Sequence, residues 1–384
     1  MTGNMYRSSW MTEELDEVRA LARRFFARES VPHQERWAAQ RCVDRDLWRA
    51  AGAAGLLCIS VPEEYGGGGG TFAHEAVVLE EQAKAVDDAF GYGVHSTIVA
   101  HYLVDYGTEE QKRAWLPGMA SGEIVGAIAM TEPDSGSDLQ SIRTSARLDG
   151  EDYVINGAKT FISNGTLCDM LIIVARTSSE PGGRGLSLIV ADTRDLRGFE
   201  RGRILEKIGM KGQDTRELAF VDMRVPAANL LGGAEGKGFA QLMSQLPQER
   251  LVIAVTAVST LEVAVNYAVA YAKERTAFGQ DLMGFQNTRF VLAECKTEAL
   301  AARTLLDYCI ALHLAGSLDA ATASMVKYWC TQKQCEVVDA CVQIFGGYGY
   351  MLEYPIARMY ASSRVQKIYG GTNEIMKELI ARSL

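Results

Sequence analysis

The sequence lacks the clustered residues that mark a metal site. Its 384 residues include only 5 histidines and 8 cysteines, and none of them form a C-x-x-C pair or an H-E-x-x-H motif. Structural zinc sites need closely spaced thiolates or imidazoles, so we expect no bound metal. The cysteines are better explained as free, buried thiols in a reducing compartment.

Positive charge and long apolar runs are also scarce. The 39 lysines and arginines are outnumbered by 48 acidic residues, and the net charge of −9 disfavours a nucleic-acid partner. The longest uncharged apolar stretch, residues 251–261, is well short of the ~20 residues of a membrane span. The charged N-terminal segment lacks the apolar core of a signal peptide. We therefore expect a cytoplasmic protein with no membrane insertion.

Familiar nucleotide-binding and hydrolase motifs are missing too. No G-x-G-x-x-G motif follows a predicted strand, and nothing matches a Ser-His-Asp or Cys-His hydrolase. Residues 66–70 are five consecutive glycines, but no strand precedes them and no Lys-Ser/Thr follows them. They predict a flexible turn between helices. A phosphate loop around Gly236-Lys237 fails because Leu231 and Gly238 stand where a glycine and a hydroxyl residue are needed.

What the sequence does have is a change of periodicity along the chain. Residues 12–122 show apolar side chains three and four apart, short β-prone segments follow, and helical periodicity returns after about residue 236. Tight turns are predicted at residues 149–152 and at Asn156-Gly157. The predicted strands include residues 153–155, 171–175, 186–191 and 218–221. This order predicts an α+β protein with an N-terminal α-helical domain (1–123), a central β-domain (124–233) and a C-terminal helical bundle (234–384).

Three stretches could hold a cofactor. Residues 129–138, A-M-T-E-P-D-S-G-S-D, offer the hydroxyls and free amides that a flavin or a pyrophosphate needs, although a polar turn has the same composition. Phe161-Ile162-Ser163 lies in a predicted strand, where Phe161 by itself suggests a core aromatic. Arg275 suits a diphosphate because its guanidinium can donate two parallel hydrogen bonds. The glycines at 346 and 347 allow close approach of the backbone, or simply break a helix.

A fourth stretch, Leu246-Pro247-Gln248-Glu249-Arg250, places a carboxylate ahead of an apolar run. Burial of Glu249 in an apolar pocket would raise its pKa toward neutrality, where it could act as a general base. Alternatively, Glu249 opens the helix and only complements the helix dipole.

In this order, and over roughly residues 13–382, these stretches resemble the acyl-CoA dehydrogenase flavoproteins. The resemblance implies FAD as the cofactor, a homotetramer, and a fold with a small β-barrel or sheet between N-terminal helices and a four-helix bundle. It implies flavin contacts from Met130, Thr131, Gly136, Ser137, Phe161 and Ser163, with Ser137 also near the substrate. A neighbouring subunit would hold the FAD pyrophosphate and adenine with Arg275, Phe278, Gln286, Gln343, Gly346 and Gly347. Thr372 and Glu374 complete the implied cofactor contacts.

The resemblance also implies where the base lies. Many members of the family carry a glutamate in a Tyr-Glu-Gly-Thr segment, where this sequence has Gly370. The long-chain branch, which the sequence resembles most, carries the base at the position of Glu249. Gly370 keeps the backbone N–H that stabilises the thioester oxygen in the family. Substrate contacts are implied for Ala240, Arg250 and Gly371.

The implied reaction is α,β-dehydrogenation of an acyl-CoA to a trans-2-enoyl-CoA, with electrons passing to an electron-transferring flavoprotein. An acyl-ACP dehydrogenase and an acyl-CoA oxidase are alternatives within the same fold. A non-catalytic, nucleic-acid-associated flavoprotein is a third alternative, which a basic patch without a positioned carboxylate would favour. One departure from the family pattern is Ser362, where an acidic residue is usual, so an ion pair is expected to be missing.

Overall fold

The chain begins with helices, and the computed structural model describes it from residue 6 to residue 384. Thr12 caps the first helix by accepting a hydrogen bond from Leu15 N. A π-helical segment, Gly93–Val99, leads directly into the fifth α-helix. The α-helices of this region are α1 (Glu13–Phe25), α2 (Gln34–Gln40), α3 (Arg45–Ala53), α4 (Phe72–Lys84), α5 (Ala100–Tyr106) and α6 (Glu109–Ser121).

A seven-stranded sheet follows the first helices. Its strands are β1 (Gly126–Ala129), β2 (Ser145–Asp149), β3 (Asp152–Ser163), β4 (Met170–Arg176), β5 (Leu186–Asp192), β6 (Phe199–Ile204) and β7 (Thr215–Pro226). Their spatial order is β1-β4-β2-β3-β7-β6, and β5 pairs with β4. The pairs β1–β4 and β2–β4 are parallel and the others antiparallel. The four predicted strands are confirmed, since each lies within β3, β4, β5 or β7.

Of the two predicted turns in the sheet, one is confirmed and one is wrong. Gly150, with φ at 67°, lies in the tight turn between β2 and β3. Asn156-Gly157 instead lies inside β3, where the register against β7 shifts between Ile155 and Gly157. Gly157 has φ at 153°, and a Cβ there would meet the backbone and side chain of Thr144. The glycine therefore serves a β-bulge and a close chain crossing rather than a hairpin turn.

The C-terminal region is helical again. A small hairpin, β8 (Thr276–Ala277) with β9 (Gln280–Asp281), separates the first two helices. By length and composition the first of these helices could cross a membrane, but 67% of its most apolar window is buried inside the protein, as in a core helix. The helices are α7 (Gly238–Glu274), α8 (Gln286–Leu314), α9 (Ala320–Phe345), α10 (Pro355–Ser363) and α11 (Asn373–Ala381).

One hydrophobic core joins the N-terminal and C-terminal helices. Trp48 and Phe90 pack edge to face at 4.6 Å and belong to the same buried cluster as Leu251 and Leu306. A second cluster attaches α5 and α6 to the sheet. The three regions of the chain therefore meet around α5 and α7.

The cysteines are free thiols. Seven of the eight are buried and Cys335 is half-buried, as the sequence predicted. Within residues 6–384 no group of three or more His, Cys, Asp or Glu side chains is arranged to hold a metal ion.

Candidate active site

A cavity of about 200 Å³ lies between α4, α7 and the C-terminal helices. Glu249 of α7 and Gly370, in the turn before α11, both line it although they are far apart in sequence. Much of the remaining wall is apolar, with Phe90, Val252 and Ile253 among its side chains. The structure thus brings the two residues predicted to be catalytic to one cavity.

Glu249 is a buried carboxylate in the body of a helix. Because α7 begins at Gly238, Glu249 lies about three turns inside it. The alternative that Glu249 opens the helix and only complements its dipole is therefore wrong. The residue is 6% exposed, and Tyr102 Oη donates a hydrogen bond to its Oε1 at 2.8 Å. Burial raises the pKa of Glu249 to about 7, while the Tyr102 hydrogen bond and the Arg250 charge oppose this rise.

The turn at Gly370 offers a backbone donor beside this carboxylate. Gly370 has φ at 63°, and a Cβ at this position would overlap Cδ1 of Ile253. Within residues 6–384 no backbone carbonyl accepts a hydrogen bond from its N–H. Gly371 O accepts a hydrogen bond from the buried Lys327 Nζ at 2.7 Å, and Asn373 Oδ1 accepts another at 3.0 Å. Lys327 therefore ties the turn to α9.

Arg250 is buried but does not line the cavity. Its Nη1 donates to Ser324 Oγ at 3.4 Å, and its Nε has no partner among the residues described. Burial lowers the pKa of the neighbouring Lys327 to about 7, and the charge of Arg250 adds to the effect. Arg250 thus lies outside the cavity wall, and its contact with substrate stays a prediction. From outside the cavity, the charge of Arg250 lowers the pKa of both Glu249 and Lys327.

The polar loop after β1 is fixed by a buried ion pair. Lys159 Nζ lies 3.0 Å from Glu132 Oε1 and donates to Met130 O at 2.9 Å. Glu132 also accepts hydrogen bonds from Arg143 N and Thr144 N, both at 2.8 Å. Burial lowers the pKa of Lys159 to about 8 against the effect of Glu132. The loop is therefore an anchored structure rather than an ordinary polar turn.

The residues of this loop that were predicted to bind flavin are accessible. Met130 and Thr131 are half-buried, whereas Gly136 and Ser137 are exposed. Met130 packs in the same cluster as Val94 and Ile98, which line the cavity that holds Glu249. One hydrophobic cluster therefore supports both the loop and part of the cavity wall.

Phe161 is a surface aromatic rather than a core one. It is 66% exposed, and its φ of 61° falls at the register shift of β3 between Lys159 and Ile162. An exposed aromatic held in the left-handed region is costly and is typical of functional sites. Ser163, at the end of β3, is half-buried.

Arg275 and the glycines at 346 and 347 line a second pocket, of about 430 Å³. The guanidinium of Arg275 lies 6.0 Å from the ring of Tyr348. Gly346 ends α9 with φ at 57°, so the diglycine breaks the helix and also lines the pocket. Phe278, Gln286 and Gln343 are exposed. This pocket lies far from Glu249, because α7 extends about 39 Å between Glu249 and Arg275 at 1.5 Å per residue.

The other predicted site residues have more local roles. Thr372 Oγ1 caps α11 by accepting from Ile375 N, and Glu374 is exposed in the first turn of that helix. Gly371 is half-buried beside Gly370. Ala240 is exposed in the first turn of α7 and does not line the cavity, so its place near the acyl path stays a prediction. Ser362, where an acidic residue is usual in the family, donates a hydrogen bond to Asp88.

Three residues of the site were not predicted from the sequence: Tyr102, Lys159 and Lys327. Lys327 carries a usable signal, since a charged side chain inside an apolar stretch must find a partner when buried. Tyr102 carries none, because a tyrosine in an apolar helix stripe is ordinary.

The residues present fit FAD. The exposed Phe161 ring and the open loop around Gly136 suit a planar ring system with polar edges. A Cβ added at Gly346 or Gly347 would meet none of the described residues beyond its chain neighbours within 4 Å, and Arg275 beside them suits a diphosphate.

Comparison with known proteins agrees with this geometry. Three models of the acyl-CoA dehydrogenase family match the chain: the N-terminal domain at residues 12–123, the middle domain at 127–223 and the C-terminal domain at 236–384. The chain is 48% identical to the mitochondrial long-chain specific acyl-CoA dehydrogenase of Sus scrofa over 97% of its own length and 87% of that protein.

Solved structures show the same fold. An acyl-CoA dehydrogenase from Geobacillus kaustophilus is 46% identical, with a TM-score of 0.96 over 98% of this chain and 99% of that one. A chain from a structure of the electron transferring flavoprotein of Acidaminococcus fermentans is 35% identical, with a TM-score of 0.93 over 97% and 98%. A glutaryl-CoA dehydrogenase from Mycobacterium smegmatis in complex with FADH2 is 27% identical, with a TM-score of 0.90 over 97% and 95%. The chain therefore belongs to the acyl-CoA dehydrogenase family and is an FAD-dependent enzyme of acyl-CoA dehydrogenation.

Proposed function

We propose that this enzyme acts on medium- to long-chain or branched acyl-CoA thioesters, with Glu249 as the base that removes the α-proton. One observation carries the proposal: a buried carboxylate lines the same cavity as a backbone N–H that has no carbonyl partner in residues 6–384. The pKa of Glu249, raised by burial to about 7, suits proton abstraction near neutral pH.

Each protein group has a defined part in the reaction. Removal of an α-proton leaves enolate character on the thioester oxygen, and the Gly370 N–H donates a hydrogen bond to that oxygen. Glu249 accepts the proton on Oε2, because Oε1 already accepts a hydrogen bond from the Tyr102 hydroxyl. FAD, held by the loop after β1, Phe161 and the pocket around Arg275, would supply the acceptor for the hydride that leaves the β-carbon. Two C–H bonds break and one C=C bond forms.

The shape of the cavity supports a long or branched acyl group. Glu249, Val252, Thr256 and Thr260 line it from successive turns of α7, over about 16 Å at 1.5 Å per residue. A butyryl group needs far less length. Gly370 adds width because it has no side chain.

We further propose an electron-transferring flavoprotein as the electron acceptor, which the likeness to the Acidaminococcus chain supports. We also propose a homotetramer, or at least a dimer; the separation between Glu249 and Arg275 supports a site built from at least two chains. One FAD molecule is shorter than that length of helix, so a cofactor that contacts both places needs them from two chains. The cytoplasmic location and the absence of membrane insertion stay predictions.

Anaerobic titration of the FAD-loaded enzyme with a panel of acyl-CoA and acyl-ACP thioesters tests the substrate. Flavin bleaching should be fastest with acyl-CoA thioesters longer than butyryl-CoA. If kcat/KM is highest for butyryl-CoA and falls with chain length, the proposed substrate class is wrong. Faster bleaching by acyl-ACP favours the carrier-protein alternative, and rapid reoxidation by oxygen favours an oxidase.

The variant Glu249→Gln tests the base. It keeps the size of the side chain and removes its basicity, so flavin reduction should slow by roughly 10²-fold or more while FAD content is unchanged. Glu274→Gln, at the exposed end of the same helix, is the matched control. Near-normal flavin reduction by Glu249→Gln would exclude Glu249 as the base.

A further inference from the structure

We infer that Tyr102 is the positioning residue of Glu249: its phenol holds one carboxylate oxygen so that the other is free to take the α-proton. This inference rests on the proposed role of Glu249. Tyr102 itself does not line the cavity, so it acts through the base rather than on the substrate.

Among the described residues, the Tyr102 hydroxyl hydrogen-bonds to Glu249. Tyr102 is fully buried in α5, within the cluster that includes Leu103 and Leu242, and its ring lies 6.2 Å from that of Tyr106. Its only O–H donates to Glu249 Oε1 at 2.8 Å. Because packing fixes the ring, the hydroxyl fixes the position of the carboxylate. A base displaced by about 1 Å can cost 10²-fold in rate.

The charges around the pair keep the phenol a donor. Glu249 is faced by Tyr102 from α5 and by the charge of Arg250 from its own helix, and Lys327 of α9 faces Arg250 in turn. Burial and the Glu249 charge raise the pKa of Tyr102 well above its usual value, so the hydroxyl stays protonated at working pH. A donor stabilises the ionised carboxylate. Tyr102 therefore offsets part of the rise that burial imposes on the pKa of Glu249.

The test is the pH profile of Tyr102→Phe, which removes one hydroxyl and leaves the ring. Loss of the hydrogen bond should raise the apparent pKa of the acidic limb of kcat/KM by about one pH unit. At a pH below that pKa, kcat/KM should therefore be about tenfold lower than in the parent enzyme. The KM and the FAD content should stay close to those of the parent enzyme. Tyr106→Phe is the matched control, since its hydroxyl lies on the same helix and bonds to Gln241 O at 3.4 Å instead.

A double-mutant cycle separates this inference from the proposed function. If Tyr102 acts through Glu249, Tyr102→Phe should slow flavin reduction in the parent enzyme but add nothing in Glu249→Gln. An unmoved acidic limb in Tyr102→Phe would overturn the positioning role, even if FAD content or Tm falls. Full activity of Glu249→Gln would overturn the proposed base independently of that result.

Discussion

At the scale of single residues, the cavity offers two backbone positions for one carboxylate, Glu249 and Gly370. Glu249→Gly should remove most of the activity, and adding Gly370→Glu should restore part of it, with a shift toward shorter acyl chains because the new side chain takes up space. A side chain at 370 is strained by the positive φ and overlaps Cδ1 of Ile253. Adding Ile253→Val, which lacks that atom, should therefore increase the recovery.

Single-turnover flavin reduction measures this series, with Ile253→Val alone as the control. If the variant with the relocated carboxylate is no faster than Glu249→Gly, a carboxylate at position 370 does not reach the α-carbon.

Residue identities were predictable where a short motif carried them. Leu-Pro-Gln-Glu-Arg and Tyr-Gly-Gly-Thr pointed to Glu249 and Gly370 through a family resemblance. Tyr102 was not predictable, because periodicity predicts a buried ring but not which carboxylate, 147 positions later, its hydroxyl meets.

At the scale of elements, the loop between β1 and β2 depends on the Lys159–Glu132 pair, in which both side chains are almost fully buried. Lys159→Met leaves the Glu132 charge buried without its partner, which should cost about 3–5 kcal/mol. We expect a lower Tm and weaker retention of FAD, measured by thermal unfolding and by flavin absorbance after gel filtration. The control is Arg147→Met on β2, where the side chain is 72% exposed; it should alter neither the Tm nor the retention of FAD. Unchanged FAD retention in Lys159→Met would show that the loop does not need this anchor.

Element types were predictable from periodicity, whereas some boundaries were not. Asn156-Gly157 has the composition of a hairpin turn, yet β3 continues through it, because pairing with β2 and β7 supports the strand on both sides. Helix α7 starts at Gly238, well before Glu249, and its first residue packs so closely against Leu186 and Ser187 that a Cβ would not fit. In both places tertiary contact outweighs the local signal.

At the scale of the whole molecule, the separation of Glu249 from Arg275 predicts a site shared between chains. The enzyme should carry one FAD per chain and elute as a dimer or larger. Glu249→Gln and Arg275→Leu should each be nearly inactive alone. Co-expressed, they should recover activity, because each mixed pair contains one site with an intact Glu249 from one chain and an intact Arg275 from the other.

Size-exclusion chromatography with the ratio of flavin to protein absorbance checks the assembly, and flavin reduction checks the mixed enzyme. If mixed oligomers form but reduce flavin no faster than either variant alone, both residues belong to the site of a single chain.

The core shared by the N-terminal and C-terminal helices also affects how the protein is made. During synthesis, α4 is complete at Lys84, but its partner α7 begins only at Gly238. At ordinary translation rates that interval lasts roughly 8 to 30 s, during which apolar side chains of the early helices lack their partners. Nascent chains are then open to aggregation, so slower expression at low temperature, or added chaperones, should raise the soluble yield. A fragment ending before α7 should leave the early helices loosely packed, because it lacks the C-terminal half of their core.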